Sequence, residues 1–436
     1  MNDQTYKRAT YNLITFATSK IISNIGWSTY SFGISLYVLT ITGSATNFAI
    51  NFLCSSVPRI ILSPYAGYAA DLYSKKLIIV LSQLLSLLSV LGLLTASFFD
   101  QITITFIYLT TILLSIASLF NSVTFTSSVM NLIDEKRTQK AFALSDASKN
   151  IGSILGPVIG GILYAYFPLN AFLILFIICY TIALILDLSL DFHVNSNVEK
   201  KTKQDSQKKG FISNFIDSFH YVKKNVLLIS LASTSIFISF FFTSIQVGMP
   251  FILVNELQLS SYQYGIVQSS FSVGMILTAL YLSIRKEFEY PFILAKKTIL
   301  LLSIQFTVMI IPLFYTFPNP ILFPYYIIWS FLLGGLISLM NTPTAVKLLK
   351  MISENYRGRI IGTVETISSA LVPFGIFLYG LLFDLLNPKW VMIVTSILSF
   401  TFTLYLLRKT VLMKAHPEYF AKKGKFIKEV EKNLEG

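Results

Sequence analysis

Apolar residues in this chain come in blocks long enough to cross a lipid bilayer, and the charges sit in the gaps between them. A hydrocarbon core about 30 Å thick is crossed by roughly 20 residues of helix. On that scale the sequence holds twelve spans, at about 11–39, 44–70, 77–98, 102–130, 145–167, 170–190, 226–254, 262–284, 293–315, 320–346, 360–385 and 389–408. Lipid offers no hydrogen bonds, so a spanning backbone must satisfy itself within a helix or a closed barrel. Runs of this length select helices, and the expected fold is an all-α membrane protein.

Only 13% of residues are charged, against about 25% in a soluble domain, and the mean hydropathy is +0.67. The formal charge of +13 would suit nucleic acid if the bases clustered on a soluble face. Here they punctuate apolar spans, so the expected partner is the bilayer and no nucleic acid. Cys54 and Cys179 fall inside spans and read as small buried hydrophobes rather than a disulfide pair. The opening MNDQTYKRATYNL leads into a stretch too long for a signal-peptide core and lacks a cleavage site, so the first span is read as retained.

Charge placement gives an orientation. With the N-terminus in the cytoplasm, 30 of the 34 Lys and Arg residues fall in cytoplasmic connections or the two ends. Lys389 alone lies in an outer loop, and Lys20, Arg59 and Lys149 lie within spans. The positive-inside bias thus expects an even number of spans, both termini cytoplasmic, in the cell (cytoplasmic or inner) membrane.

One long polar interruption divides the chain into a six-helix half (1–190), a linker (191–225), a second six-helix half (226–408) and a cytoplasmic tail (409–436). HVNSNVEKKTKQDSQKKG within the linker cannot bury enough apolar surface to order itself. The following FISNFIDSFHYVKK reads either as an interfacial helix or as an extension of helix 7. Superposing Pro157 of helix 5 on Pro373 of helix 11 aligns two arginine-containing loops and two glycine-bearing helices, the pattern of a pseudo-symmetric repeat. The basic tail reads as a helix on the anionic leaflet or a solubilising end.

Two motifs carry a physical reading. Between helices 2 and 3 runs Gly67-Tyr68-Ala69-Ala70-Asp71-Leu72-Tyr73-Ser74-Lys75-Lys76. Its carboxylate can cap helix 3 or pair with a basic group on a neighbour. Helix 5 carries Gly152-Ser153-Ile154-Leu155-Gly156-Pro157-Val158-Ile159-Gly160-Gly161, glycines four apart that allow close helix packing around a kinking proline. The first run resembles the loop signature of the major facilitator superfamily, with Leu72 for its first basic residue and Ser74 for its second glycine. The second resembles the glycine-proline signature of that superfamily's exporter branch. SKIISNIGWSTYSF, VPRIILSPYAGYAAD and the RGRIIG segment holding Arg357 and Arg359 are similar to the branch of macrolide-efflux and enterobactin-export proteins. The resemblance covers essentially the whole chain. It implies two pseudo-symmetric six-helix bundles, a charge relay at Asp71 that locks one face shut, and a pliable helix 5 suited to rocking.

A Lys or Arg at mid-span costs about 2.5–3.5 kcal/mol on the mildest scale, so each needs a cavity or a partner. Lys20, Asn24, Trp27 and Ser31 form one stripe along helix 1. Helix 4 offers Asn121 and Thr124, helix 7 Ser239, Thr243 and Gln246, and helix 10 Ser338 and Asn341. The resemblance places helices 1, 4, 7 and 10 around a central cavity, making these stripes the candidate solute surface, with Arg59 on helix 2 beside them. Any single hydroxyl among them can equally serve helix packing. Asp146 and Lys149, three apart, can pair with each other, or Lys149 can pair with Glu365 across the bundle. Glu365 is read as the one acid well inside a span, and hence as the proton carrier or a lone structural carboxylate.

The expected function is secondary active export of an amphiphilic organic solute, such as a macrolide-like drug, by proton-coupled alternating access. Interior bases outnumbering acids keep an anionic endogenous metabolite as the alternative, and uptake is the other. No cofactor, metal or enzymatic cluster is expected, and the chain is read as a monomer.

Overall fold

A computed structural model describes residues 3–133, 137–192, 226–315, 317–352, 364, 366 and 368–421. The linker from 193, its possible interfacial helix, Arg357, Arg359, Glu365 and the tail beyond 421 lie outside the described residues.

All regular structure among the described residues is helical: α1 Asp3–Thr42, α2 Ala45–Leu72, α3 Lys75–Phe98, α4 Ile104–Leu132, α5 Thr138–Tyr166 and α6 Leu169–Leu188. Then follow α7 Val226–Pro250 with a π-helical continuation Phe251–Glu256, α8 Ser261–Ile284, and α9 Pro291–Met309 with a further turn Ile311–Phe314. The series closes with α10 Asn319–Met351, α11 Val372–Leu385, α12 Pro388–Leu406 and the short α13 Lys409–Ala415. Nine of these, among the described residues, are long and apolar enough to cross a membrane. The expected spans 11–39 and 145–167 correspond to α1 and α5, whose polar and charged residues dilute their hydropathy. The span 360–385 is described as a helix from Val372.

The helix boundaries follow from local chemistry. α1 ends at Gly43, whose φ of +62° is left-handed, a conformation glycine adopts without steric cost. Ser44 then caps α2, its Oγ accepting from the Asn47 amide at 3.2 Å, and Thr103 caps α4 through the Phe106 amide. Asn387 caps α12 with Pro388 in the first turn, where a missing N–H costs nothing. Pro291 and Pro320 open α9 and α10 in the same way.

The chain forms two compact units. The first contains Met1–Lys208, Val247–Ser272 and Tyr379–Asp384. Within it α1 lies along α5 and α6, and α4 packs on α2 and α3. Two apolar clusters occupy opposite ends of α1. One gathers Leu13 and Phe16 with Ile79, Phe125, Val129 and Leu132. The other gathers Tyr30, Ile34 and Val38 with Val90, Leu93, Ile107, Phe172 and Phe176, the Tyr30 and Phe176 rings lying 4.8 Å apart. Asp384, late in α11, caps the start of α2: its carboxylate accepts from Ser44 Oγ at 2.6 Å, the Ala45 amide at 2.7 Å and the Thr46 amide at 3.0 Å.

The second unit contains Lys209–Gln246, Val273–Leu378 and Leu385–Gly436. Its α9 and α10 are tied where Tyr326 Oη donates to the Met309 carbonyl at 2.8 Å and Trp329 Nε1 to that of Gln305 at 3.1 Å. α9 meets α12 through the Ser303 and Ser399 hydroxyls, 2.8 Å apart. The described part of the tail docks on this unit: Val411 and Leu412 of α13 pack on Phe292, and His416 is fully buried against the Tyr290 and Phe292 rings.

Candidate solute cavity

Between the two apolar clusters of the first unit, α1 turns polar, and there the helices enclose a cavity of about 310 Å³. α1 contributes Lys20, Ser23, Asn24, Trp27 and Ser28; α4 contributes Asn121 and Phe125; α2 adds Arg59, α3 Gln83, α5 Lys149 and α6 Tyr180. The clusters supply two edges of this space, since Phe16 and Phe125 belong to one and Tyr180 to the other.

The geometry around Lys20 is specific. Its side chain is 9% exposed, its Nζ donates to Asn121 Oδ1 at 3.0 Å, and it stands 3.8 Å from the centroid of the Phe125 ring, a favourable cation–π distance. An ammonium group can only donate, so it fixes the Asn121 amide with oxygen toward itself. Asn121 Nδ2 and Ser23 Oγ are buried without a hydrogen-bond partner among the described residues.

The nearest buried acid is Asp187 on α6, fully inaccessible. Ser19 Oγ donates to its Oδ1 at 2.6 Å and Gln83 Nε2 to its Oδ2 at 2.9 Å. Asp187 stands one residue from the end of α6, a buried acid additional to Glu365, which lies outside the described residues. The signal for it in the sequence is one carboxylate in the very apolar run of α6. Lys149 pairs with Asp146 at 3.3 Å on the same helix, one of the two arrangements its spacing allowed. Among the described residues, Arg59 and Lys20 have no carboxylate within 4 Å and no acid lines the cavity.

Other candidate residues lie elsewhere. Ser31 is one turn beyond the lining, and Thr124 is fully buried outside it. In the second unit, Thr243 is buried with its Oγ1 donating to the Phe240 carbonyl at 2.6 Å, against Gly375. Gln246 Oε1 is buried without a partner among the described residues. Ser239 is partly exposed, Ser338 buried and Asn341 exposed.

The helix 5 stripe lies against α1. A Cβ at Gly152 would stand 2.8 Å from the Asn24 carbonyl oxygen, and one at Gly156 would fall within the envelope of Ser28. Gly160 faces Phe32 and the Thr29 carbonyl, Gly161 faces the Ser261 carbonyl, and the Pro157 carbonyl presses on Gly265. Gly67 meets nothing within 4 Å. Asp71 is exposed at the end of α2, while Lys75 and Lys76 donate to the Ser127 and Leu190 carbonyls. Pro373 sits in the first turn of α11.

A bundle of apolar helices around a polar, cation-bearing cavity defines a multi-pass membrane transporter. The Major Facilitator Superfamily profile matches residues 16–284 and 232–432, and the chain belongs to that superfamily. It is 19% identical to macrolide efflux protein A of Streptococcus pyogenes over 85% of this chain and 89% of that one. Among solved structures, the nucleoside transporter NupG aligns with a TM-score of 0.65 at 14% identity, covering 91% of this chain and 98% of the other. A POT family transporter in complex with 5-aminolevulinic acid aligns with a TM-score of 0.68 at 13% identity, covering 91% and 95%. At these identities the likeness establishes the major facilitator fold alone.

Proposed function

We propose that this chain exports an amphiphilic organic solute across the cell membrane by alternating access of two six-helix bundles, 1–190 and 226–408, with both termini cytoplasmic. The observation that carries this reading is the cavity. It is polar at the middle of α1, and aromatic at its edges through Phe16, Trp27, Phe125 and Tyr180. A solute that is part apolar and part polar suits such a lining. The export direction is favoured by the likeness to macrolide efflux protein A along most of both chains, together with the glycine-proline pattern of α5.

Exchange for protons requires a titratable group that changes protonation within the cycle. Glu365 and Asp187 are the two acids this reading assigns to that role. The decisive measurement is flux in reconstituted vesicles with an imposed pH gradient, over a panel of amphiphiles. Glu365→Gln and Asp187→Asn, examined separately, identify the carrier. Solute movement that ignores the gradient, or cellular drug levels unchanged by loss of the gene, would overturn the reading.

A further inference from the structure

We infer that Lys20, Ser23 and Asn121 form a cradle for one oxyanion, so that the exported solute carries a carboxylate or phosphate group. This deepens the export reading and rests on it for its physiological meaning, although the binding chemistry stands on the cavity alone.

Every polar group that the cradle leaves open can donate. Lys20 Nζ has three N–H bonds, of which one goes to Asn121 Oδ1. By taking that oxygen it turns the Asn121 amide nitrogen away from itself, and this nitrogen has no partner among the described residues. Ser23, close to one turn along α1 from Lys20, offers a hydroxyl that is likewise buried and unpartnered. Buried polar atoms are ordinarily hydrogen-bonded, and the exceptions ask for an explanation. Here two exceptions belong to residues that line one cavity beside one ammonium group.

The electrostatics agree. Lys149 is balanced by Asp146, whereas Lys20 and Arg59 line the cavity with no acid in the lining among the described residues. Among the described residues Asp187 is the one carboxylate positioned to oppose Lys20, and both its oxygens are engaged by Ser19 and Gln83. It is a positioning residue that tempers the field at Lys20 without touching the solute. An arriving oxyanion would meet donors and net positive charge, whereas an ammonium-bearing solute would meet repulsion and no acceptor of its own charge.

The test uses the full chain in nanodiscs with Trp329→Phe and Trp390→Phe, leaving Trp27 in the cavity wall as the fluorescent reporter. The probes share one body: 4-phenylbutyrate, 4-phenylbutyl phosphate, 4-phenylbutanamide and 4-phenylbutylamine. The carboxylate, the phosphate or both should bind at least about tenfold more tightly than the amide, the increment of one charge-assisted hydrogen bond, and the amine weakest. Whichever of the two acids binds more tightly identifies the headgroup. Lys20→Gln should erase the preference. So should Asn121→Asp, which keeps the side-chain shape and supplies Lys20 with an internal counter-ion. Asp187→Asn should sharpen the preference several-fold, which a purely structural role would not do. Amide and acid binding within threefold of each other, or a preference surviving Asn121→Asp, would overturn the inference. Anion binding without pH-driven flux would sink the export reading and leave this one standing.

Discussion

Replacing Gly156 by alanine adds one methyl group where α1 and α5 touch, and the structure sets what that costs. The new Cβ would sit 2.9 Å from the Ser28 carbonyl carbon and closer still to the Ser28 Cβ. Ordinary contact begins near 3.4 Å, so α1 must retreat by at least about half an ångström. A gap of that size forfeits roughly a quarter of the dispersion energy of the facing atoms, and overpacking of this kind costs about 1–3 kcal/mol. Alanine's better helix propensity returns up to about 1 kcal/mol, leaving a net loss of about 1–2 kcal/mol. Gly92→Ala is the control, since nothing lies within 4 Å of its Cβ position; it should be neutral or stabilising by up to about 1 kcal/mol. Cys54 and Cys179, both half-buried, provide the assay: a thiol-reactive fluorophore added during a thermal ramp in detergent reports unfolding. Because Asn24 and Ser28 line the cavity, Gly156→Ala should weaken solute binding as well. A Gly156→Ala protein as stable as the native one, with Gly92→Ala the weaker, would refute the packing argument.

Asp187→Ala leaves the Ser19 hydroxyl and the Gln83 amide unanswered, and interhelical bonds in membranes average about 0.6 and reach about 1.7 kcal/mol; the same ramp should show a loss of about 1–3 kcal/mol, with Asp187→Asn milder because the Gln83 amide can turn to accept. Asp384→Ala removes the acceptor for Ser44, Ala45 and Thr46 and should cost about 1–2 kcal/mol, as lost N-caps do. It should also raise amide hydrogen exchange in the first turn of α2; unchanged exchange there would refute the capping role. Burial holds the His416 imidazole below its ordinary value despite the opposing pull of Glu418. The undocked tail therefore binds the proton more readily, so docking is complete above the ordinary imidazole range and is lost as pH falls below it. Protease cleavage after Lys414 should accelerate on acidification from pH 8 to 5 in the native protein and lose that dependence in His416→Phe.

Much of the fold was legible because spanning helices announce themselves by length and hydropathy. The stripe of Lys20, Asn24 and Trp27 was legible for a related reason, since a cation in hydrocarbon needs a wet neighbour. The rest was set by partners distant in sequence. Spacing along α1 puts Ser31 on the stripe and leaves Ser28 off it, yet Ser28 lines the cavity where Gly156 lets α5 approach, and Ser31 does not. Thr124 follows Asn121 on the same helix but turns inward. Asp384 has no local signal at all, because the amides it caps lie at the start of α2. Asp187 has a sequence signal that the span pattern alone does not use: an ionisable group in so apolar a helix needs donors, and Ser19 and Gln83 are those donors.

The oily clusters at the two ends of α1 bear on leakage. A carrier that sustains a gradient must never become a conduit, and hydrated ions move only where water is continuous. In the first unit the polar stretch of α1 beside Lys20 is flanked by Phe16 on one side and Tyr30 on the other, about 21 Å apart at the rise of a helix. Filing down either stopper, for instance Phe16→Ala or Tyr30→Ala, trades tightness for permeability.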